Sequence, residues 1–391
     1  MKVLVYTSLF PNNLQPWFGV FIKQRMAHFA GRRNCEIRVV APVPYAPPVK
    51  ALGERWYTFS KIAPYEVIDG IEVYHPRYFL VPKISMPFHG LFQFLWTLGR
   101  LKKIRESFDF DLIDAHYIYP DGFAAVLAAK VLGVPVVLSA RGSDIHEFPR
   151  YKTIRPLVRF ALRHADHLIS VSDALRQEME SLENISGKTH VIPNGVDPAL
   201  FFPMDRAAAR KKLGLSTESR IILSVGNLIP LKGFHLVIKS LPRLMASDQR
   251  LEYIVIGRGD FRNALEAQVR DMGLERRVKF TGVIPHSDLN TWYNAADVFC
   301  LASEREGWAN VIMESLACGT PVVATNVYGA PEAITSDDLG ILVERTPEAM
   351  GNGLQTALER NWDRETIVSH AGQFSWDRAA SELEAIFSKL I

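Results

Sequence analysis

The sequence lacks features that would place it in several common classes of protein. None of its apolar runs reaches the roughly 18 residues that a membrane-spanning helix needs. Its three cysteines are odd in number and lack the spacing of a metal site, so we expect buried free thiols in a reducing cytosol. A formal net charge of +3 is too small to indicate a nucleic-acid partner. Met1 and Lys2 lead directly into an apolar strand rather than a signal peptide, so we expect a cytoplasmic protein that at most contacts the inner face of the plasma membrane.

Two ligand-binding motifs are also missing. A dinucleotide-binding domain would show G-x-G-x-x-G directly after its first strand, whereas residues 7–19 contain one glycine, Gly19. The acidic residue that binds a dinucleotide ribose about 20 residues further on is absent as well. These gaps argue against a dehydrogenase. No Asp-x-Asp follows a strand, and we expect neither a metal nor a cofactor.

The chain is long enough for two domains, and both halves alternate apolar strands with helical patterns. This alternation predicts an α/β fold with two doubly wound, Rossmann-like parallel sheets. A strand followed by the turn residues Pro193-Asn194-Gly195 ends the first series, and a new series starts at residues 221–225. We therefore place an N-terminal domain at residues 1–197 and a C-terminal domain at 198–372.

The stretch 298–332 contains the most informative pattern. An apolar strand ends in the polar loop 303–307, a helix runs from about 309 to 318, and Gly319 with Pro321 ends it before the next strand. Pro331 begins another short helix. Helix N-termini that follow parallel strands favour a phosphorylated ligand, because their N–H groups are unpaired and the helix dipole attracts anions.

Glu306 lies in the loop before this helix and Glu314 lies on the helix. Two acids eight residues apart are common by chance, but the whole string EGWANVIMESLACGTPVVA from Glu306 onward resembles the donor-sugar signature of the family-4 retaining glycosyltransferases. The resemblance covers nearly the whole chain and implies the GT-B fold. It also implies that Glu306 binds the transferred hexose and that Glu314 holds the ribose hydroxyls of the nucleotide.

The same resemblance assigns further residues. Lys232 precedes a helix and is expected to bind the diphosphate, whereas Asn227 stands where the family has arginine and contributes no charge. His116, at the end of a strand, is expected to contact the hexose. The implied catalytic residues are thus His116, Lys232 and Glu306. The implied donor-binding residues are Gly19, Asn227, Lys232, Gly257, Val283, Glu306, Gly307, Asn310, Val311 and Glu314. Residues 373–391 are expected to form a helix that returns to the N-terminal domain.

Ordinary structural roles remain open for several of these residues. For Gly19 this role is a glycine at the start of a helix, and for the Gly257–Gly259 pair it is a tight turn between strand and helix. Arg141 and Asp144 either line the cleft or form an Arg–Asp pair that steadies their loop. Residues 91–105 combine large apolar residues with four bases, a composition that suits either a helix packed on the sheet or one lying in a membrane interface.

The resemblance implies transfer of a hexosyl unit from a nucleotide-diphospho-sugar to a hydroxyl, with retention at the anomeric carbon. Segments such as Tyr119-Pro120-Asp121-Gly122 look most like bacterial enzymes that build cell-surface polysaccharide, including teichuronic-acid-type transferases, so a sugar or lipid-linked acceptor is expected. An epimerase of the same fold and a non-catalytic nucleotide-sugar-binding paralogue are the alternatives.

Overall fold

A computed structural model describes residues 1–81 and 84–391, the side chain of Leu52 excepted. The chain divides into two compact units, residues 1–194 with 376–391 and residues 195–375. Within the described residues, no helix is long and apolar enough to cross a membrane. Cys35, Cys300 and Cys318 are buried free thiols, as predicted.

The strands of the first unit are β1 (Lys2–Tyr6), β2 (Glu36–Val40), β3 (Val43–Pro44), β4 (Tyr65–Ile68), β5 (Ile71–Tyr74), β6 (Arg77–Tyr78), β7 (Leu112–His116), β8 (Val136–Ser139), β9 (His167–Ser170) and β10 (Thr189–Val191). Its helices are α1 (Val20–Ala30), α2 (Glu54–Lys61), α3 (His89–Ser107), α4 (Phe123–Leu132), α5 (Ser143–His146), α6 (Arg155–His164) and α7 (Asp173–Leu182).

The main sheet of the first unit has the order β10-β9-β8-β7-β1-β2-β5-β4. Its pairings are parallel except for the edge hairpin of β4 and β5. Strand order reverses between β1 and β7. The connections that follow these two strands therefore run to opposite faces of the sheet, which leaves a crevice at their carboxyl ends. The sequence predicted the central strands but not the hairpin or the short β3–β6 pair.

The second unit contains β11 (Arg220–Val225), β12 (Leu251–Ile256), β13 (Val278–Gly282), β14 (Val298–Leu301), β15 (Val322–Thr325) and β16 (Gly340–Val343). Its helices are α8 (Arg206–Lys212), α9 (Phe234–Ser247), α10 (Arg262–Asp271), α11 (Leu289–Ala295), α12 (Asn310–Ala317), α13 (Ala330–Ala333), α14 (Pro347–Glu359) and α15 (Arg364–Ala371).

The second sheet is parallel throughout its described strands, in the order β13-β12-β11-β14-β15-β16. This is the dinucleotide-binding order of two half-sheets, with the switch point between β11 and β14. Apolar strand residues and one stripe of α9 and α14 form its core. Asp205 and Thr346 start α8 and α14 by accepting a hydrogen bond from the backbone N–H three residues later.

The C-terminal helix α16 (Trp376–Phe387) belongs to the first unit. Its buried residues follow the helical period, and they pack against the buried stripe of α1. The rings of Phe29 and Phe387 meet edge to face with centroids 5.4 Å apart. Chain-terminal residues thus complete the core of the N-terminal sheet.

Candidate active site

The switch point of the second sheet brings together the loops that follow β11 and β14. Lys232 ends the first loop, and its Nζ donates a hydrogen bond to Oε1 of Glu306 in the second loop at 2.5 Å. Ser303 Oγ donates to the same oxygen at 2.6 Å. Both side chains are largely buried. Among the described residues, Glu306 Oε2 has no partner, so this oxygen is available to a ligand hydroxyl.

Backbone and side-chain contacts hold the loop of Glu306 in place. The N–H of Glu304 donates to the carbonyl of Leu231 at 2.8 Å, which joins the two loops directly. Thr325, at the end of β15, donates through Oγ1 to the carbonyl of Ser303 at 2.5 Å. The contact between Lys232 and Glu306 is therefore supported by hydrogen bonds that join the two loops to each other and to the end of β15.

Glu314 is buried on α12 and both of its carboxylate oxygens are engaged. Tyr293 donates to Oε2 at 2.8 Å, and His286 Nε2 lies 3.0 Å from Oε1. The ring of Phe201 packs edge-on against both His286 and Tyr293. Sequence reasoning missed His286 and Tyr293, because they lie 28 and 21 residues from Glu314 and follow no local motif.

The other donor-side residues from the sequence also lie at the carboxyl edge of the second sheet. Asn227 follows β11, Gly257 follows β12, Val283 follows β13, and Asn310 begins α12 after β14. Gly307 and Val311 flank the start of α12. Asn227 and Val283 are exposed. Because parallel strands end at one edge, the fold collects residues that are far apart in sequence; their contacts with a donor remain a prediction.

Gly257 has a geometric reason to be glycine. Its φ is +146°, and a Cβ at this position would lie 1.8 Å from the carbonyl oxygen of Gly226. Glycine at position 257 therefore permits a close approach of the loops after β11 and β12. Gly19 is similar: it begins α1 with a φ of +66°, and a Cβ would lie 2.2 Å from the carbonyl of Leu9.

His116 lies at the switch point of the first sheet and is fully buried. Arg141 donates to its Nδ1 at 2.5 Å, and its Nε2 lies 3.2 Å from Asp114 Oδ2. Nδ1 thus accepts and Nε2 carries the proton. Burial lowers the pKa of His116 to about 4, with Asp114 opposing and Arg141 adding to the shift. The ring is neutral near pH 7, and its contact with a sugar remains a prediction.

Arg141 and Asp144 do not form a side-chain pair. Asp144 accepts hydrogen bonds from the backbone N–H groups of Ile118, Arg141 and Gly142, so the carboxylate steadies its own loop. The guanidinium of Arg141 instead reaches His116 and, at 3.1 Å, Oδ1 of Asn194. The predicted Arg–Asp pair is therefore wrong, and Asp144 steadies the loop through backbone groups instead.

Arg25 is a further buried cation that sequence reasoning missed. It occupies the apolar stripe of α1, and its guanidinium donates to the carbonyl of Ile192 at 2.7 Å and to Asn194 Oδ1 at 3.2 Å. Burial lowers its pKa to about 10, and Asp114 opposes the shift. An arginine three residues after Ile22 and one before Met26 breaks the apolar pattern, which was the available signal.

The loop after β1 is tied to the segment after β7. Ser8 donates through both its backbone N–H and its Oγ to Asp121 Oδ2, each at 2.7 Å. Asp121 is fully buried, and burial raises its pKa to about 6 although these hydrogen bonds favour the charged form. Tyr117 adopts a φ of +85° directly after His116, a strained backbone conformation of the kind that often marks a functional site.

Across the described parts of the chain, no group of three His, Cys, Asp or Glu residues has the arrangement of a metal site. That the reaction needs no metal remains a prediction. Two cationic side chains lie at the carboxyl edge of the second sheet: Lys232 follows β11, and Arg258 follows β12.

Two family models match the chain and together span most of it. The model described as Glycosyltransferase Family 4 matches residues 24–200, and the model described as Glycosyl transferases group 1 matches residues 205–373.

Curated relatives align over most of their length. The D-inositol 3-phosphate glycosyltransferase of Actinosynnema mirum is 30% identical over 373 residues, which cover 85% of this chain and 86% of that protein. A Bacillus subtilis protein named for teichuronic acid biosynthesis, the glycosyltransferase TuaC, is 27% identical over 362 residues, which cover 90% of this chain and 88% of that protein.

Solved structures have the same fold over the whole chain. Sucrose-phosphate synthase from Thermosynechococcus elongatus aligns with a TM-score of 0.79 at 20% identity, covering 100% of this chain and 98% of that chain. HepE of Anabaena, solved in complex with UDP-glucose, aligns with a TM-score of 0.73 at 22% identity and covers 100% of both chains. With two Rossmann-like α/β domains of the GT-B fold, this chain belongs to the family-4 glycosyltransferases.

Proposed function

We propose that this glycosyltransferase transfers a hexosyl unit from a nucleotide-diphospho-sugar to a hydroxyl acceptor and retains the configuration of the anomeric carbon. The observation that carries the proposal is the contact of Lys232 with Glu306 at the switch point of the second sheet. A cation for the leaving diphosphate and a carboxylate for the sugar hydroxyls are thereby held side by side.

Lys232 is proposed to bind the diphosphate. It lies two residues before α9, and the N-terminus of α12 begins after the neighbouring strand β14. A lysine ammonium and unpaired helix N–H groups both stabilise negative charge that grows on the leaving group. With Asn227 in place of the family arginine, the cationic role falls more heavily on Lys232.

Glu306 and Glu314 are proposed to hold the two sugars of the donor. Oε2 of Glu306 faces no partner among the described residues and can accept from hexose hydroxyls. Glu314 already accepts from Tyr293, but each carboxylate oxygen has a second lone pair for a ribose hydroxyl. The contact with His286 fixes the other oxygen. Binding energy at the ribose would orient the anomeric carbon at the other end of the donor.

The proposed chemical step uses the leaving group as the base. The bond between the anomeric carbon and the diphosphate oxygen breaks, the acceptor oxygen bonds to that carbon from the same face, and the acceptor proton passes to the departing diphosphate. Protein catalysis then consists of positioning and charge stabilisation. This scheme needs no second carboxylate in the place of a nucleophile, in contrast to retaining glycoside hydrolases.

The comparisons support UDP-glucose as the first donor to test and a polar acceptor in surface polysaccharide or glycolipid synthesis. HepE was solved with UDP-glucose, and the curated relatives are named for inositol 3-phosphate, malate and teichuronic acid. These names differ in acceptor while sharing sugar transfer. We therefore propose a sugar or lipid-linked hydroxyl as the acceptor.

Nucleotide release from UDP-, GDP- and ADP-sugars, without and with a bacterial membrane lipid extract, tests the proposal. Release from one donor that depends on the extract is the expected result, and NMR of the product should show the anomeric configuration of the donor. Release without an acceptor would instead indicate an epimerase or a hydrolase. Donor binding without release would indicate the non-catalytic nucleotide-sugar-binding paralogue, and absence of both release and donor binding would overturn the proposed roles of Lys232 and Glu306.

A further inference from the structure

Helix α3 buries two polar side chains in its first half and exposes several large apolar ones. The residues that face the domain include Gln93 and Thr97, which are fully buried, and Thr97 Oγ1 lies 3.2 Å from the hydroxyl of Tyr6. Leu101 and Ile104 complete this face one and two turns later. The helix is therefore already docked on its domain, and its packing does not use the opposite face.

The opposite face of α3 carries large apolar side chains in solvent. Phe88, Leu91, Leu95 and Trp96 expose between 38% and 53% of their surface. A helix that turns this much apolar surface outward indicates a contact with something outside the domain.

Aromatic rings hold this face together. Phe92 lies between Phe88 and Trp96, with centroid distances of 6.1 and 5.7 Å. Phe79, from the segment after β6, adds a ring 6.3 Å from Trp96. The apolar surface thus consists of aromatic rings that contact one another. Phe79 belongs to this surface because 45% of it is exposed.

The same face becomes basic toward the C-terminal end of the helix. Lys102 and Lys103 lie on the helical continuation of Leu95 and Trp96, seven residues on, and both are exposed. Neither forms an ion pair with any residue that the structure describes. Arg100 is exposed beside them and lies over the ring of Tyr74 at 5.9 Å. Glu106, one turn further, is the acidic residue of this helix.

We propose that the outer face of α3, together with Phe79, binds the surface of an anionic lipid bilayer. Aromatic and leucine side chains enter the region between headgroups and acyl chains, and the lysines contact anionic headgroups. The positive charge of Lys102 and Lys103 favours a bilayer over a protein partner. A purely apolar face would suit another protein as well, whereas aromatic rings followed by unpaired lysines complement a surface that is negative and partly apolar. The helix lies on the bilayer and does not cross it.

This inference is independent of the proposed transfer reaction, since the surface consists of residues outside the donor site. It also joins the two alternatives that the sequence left open for residues 91–105. One face of the helix packs on the domain, and the other remains for an interface.

Co-sedimentation of the full chain with lipid vesicles tests the inference. Vesicles of equal parts phosphatidylcholine and phosphatidylglycerol should bind the protein, and vesicles of phosphatidylcholine alone should bind it at least about tenfold more weakly, because the lysines lose their partners. Leu95→Ser with Trp96→Ser, and separately Lys102→Glu with Lys103→Glu, should each weaken binding to anionic vesicles by at least about tenfold.

The matched control is Tyr151→Ser with Lys152→Glu, which removes one exposed ring and one exposed base elsewhere on the first unit and should bind as wild type. Circular dichroism and the melting temperature check that every variant is folded. Failure of the wild type to bind anionic vesicles, or wild-type binding by both α3 variants, would overturn the inference. So would sedimentation equilibrium showing a dimer that the α3 variants dissociate, since the face would then contact a second copy. Lys232→Ala should bind vesicles normally, which separates this test from that of the transfer reaction.

Discussion

At the scale of single residues, the contact of Lys232 with Glu306 is the most specific feature of the proposed donor site. Replacing either residue with alanine should lower kcat/KM for the transfer by at least about a hundredfold, the magnitude of a lost transition-state contact. Glu304→Ala is a matched control, because this carboxylate lies two residues away and its side chain is 51% exposed. Steady-state kinetics with the identified donor measure all three variants.

Because the two side chains touch, their effects should not add. The double variant should lose less than the product of the two single losses. A wild-type rate in either single variant would remove Lys232 and Glu306 from the proposed mechanism.

Tyr293 and His286 fix the carboxylate of Glu314. Tyr293→Phe leaves a buried carboxylate oxygen without its donor, and we expect the Kd for the donor nucleotide to rise about tenfold, the cost of one hydrogen bond to a charged group. His286→Asn should act in the same direction. Titration calorimetry with UDP measures both variants.

A nucleotide without ribose hydroxyls provides the control for this prediction. Its affinity should not change between wild type and Tyr293→Phe if the carboxylate acts through the ribose. An equal loss for both nucleotides would instead show that Tyr293 supports the fold of the site in general.

His116 and Asp121 should give opposite contributions to acid stability. The pKa of His116 is lowered to about 4 from an unfolded value near 6.5, so its contribution to stability is lost as the pH falls through this window. The pKa of Asp121 is raised to about 6 from an unfolded value near 3.9, so its contribution is present at low pH and is lost as the pH rises through 6.

Between pH 7 and pH 5 the two shifts partly cancel in the wild type. Asp121→Asn should therefore lose about 1 kcal/mol more unfolding free energy over this range than wild type, and His116→Gln about 2 kcal/mol less. Urea unfolding at both pH values measures the differences. Identical pH responses in all three proteins would show that neither shift contributes to stability.

At the scale of elements, the approach of two loops creates the site. Gly233 begins α9 with a φ of +71°, and a Cβ there would lie 2.0 Å from the carbonyl oxygen of Ala302 in the loop after β14. Gly233→Ala must push these loops apart, so we expect a lower melting temperature and a kcat/KM loss comparable to that of Lys232→Ala. Gly273 has a φ of +67° but open space around it, and Gly273→Ala should cost only about 1 kcal/mol of stability with normal kinetics. Equal effects of the two substitutions would contradict this account.

The elements also show what could be predicted from the sequence. The central strands and most helices follow from strict alternation of apolar strands and helical stripes, and the positions of Glu306 and Glu314 follow from one continuous motif. Contacts across the sheet do not follow in this way. Lys232 and Glu306 are 74 residues apart, and only the strand order makes them neighbours. Helix α3 was difficult for a related reason: its buried side carries Gln93 and Thr97 beside Leu101 and Ile104, so hydrophobic periodicity alone does not identify the interior face.

At the scale of the whole molecule, the two units share a sheet with a switch point but place different side chains there. Each sheet has one switch point, between β1 and β7 in the first unit and between β11 and β14 in the second. Carboxylates and Lys232 occupy the second, whereas buried Arg25, buried neutral His116 and half-buried Arg141 lie at the first. The two units therefore have the same architecture but different side chains at the position where such sheets bind ligands.

The C-terminal helix makes the stability of the first unit depend on the last residues of the chain. Phe387 is fully buried against Phe29, and Phe387→Ala should lower the unfolding free energy of this unit by about 3–5 kcal/mol, the usual effect of removing a core phenylalanine. Deletion of Ile391 alone is the control, since its side chain is 56% exposed. Urea unfolding followed by hydrogen exchange resolves the two units. Phe387→Ala should deprotect strands β1 and β2 earlier while leaving β11 and β14, and UDP binding, unchanged. Simultaneous loss of protection in both sheets would show instead that the two units unfold as one.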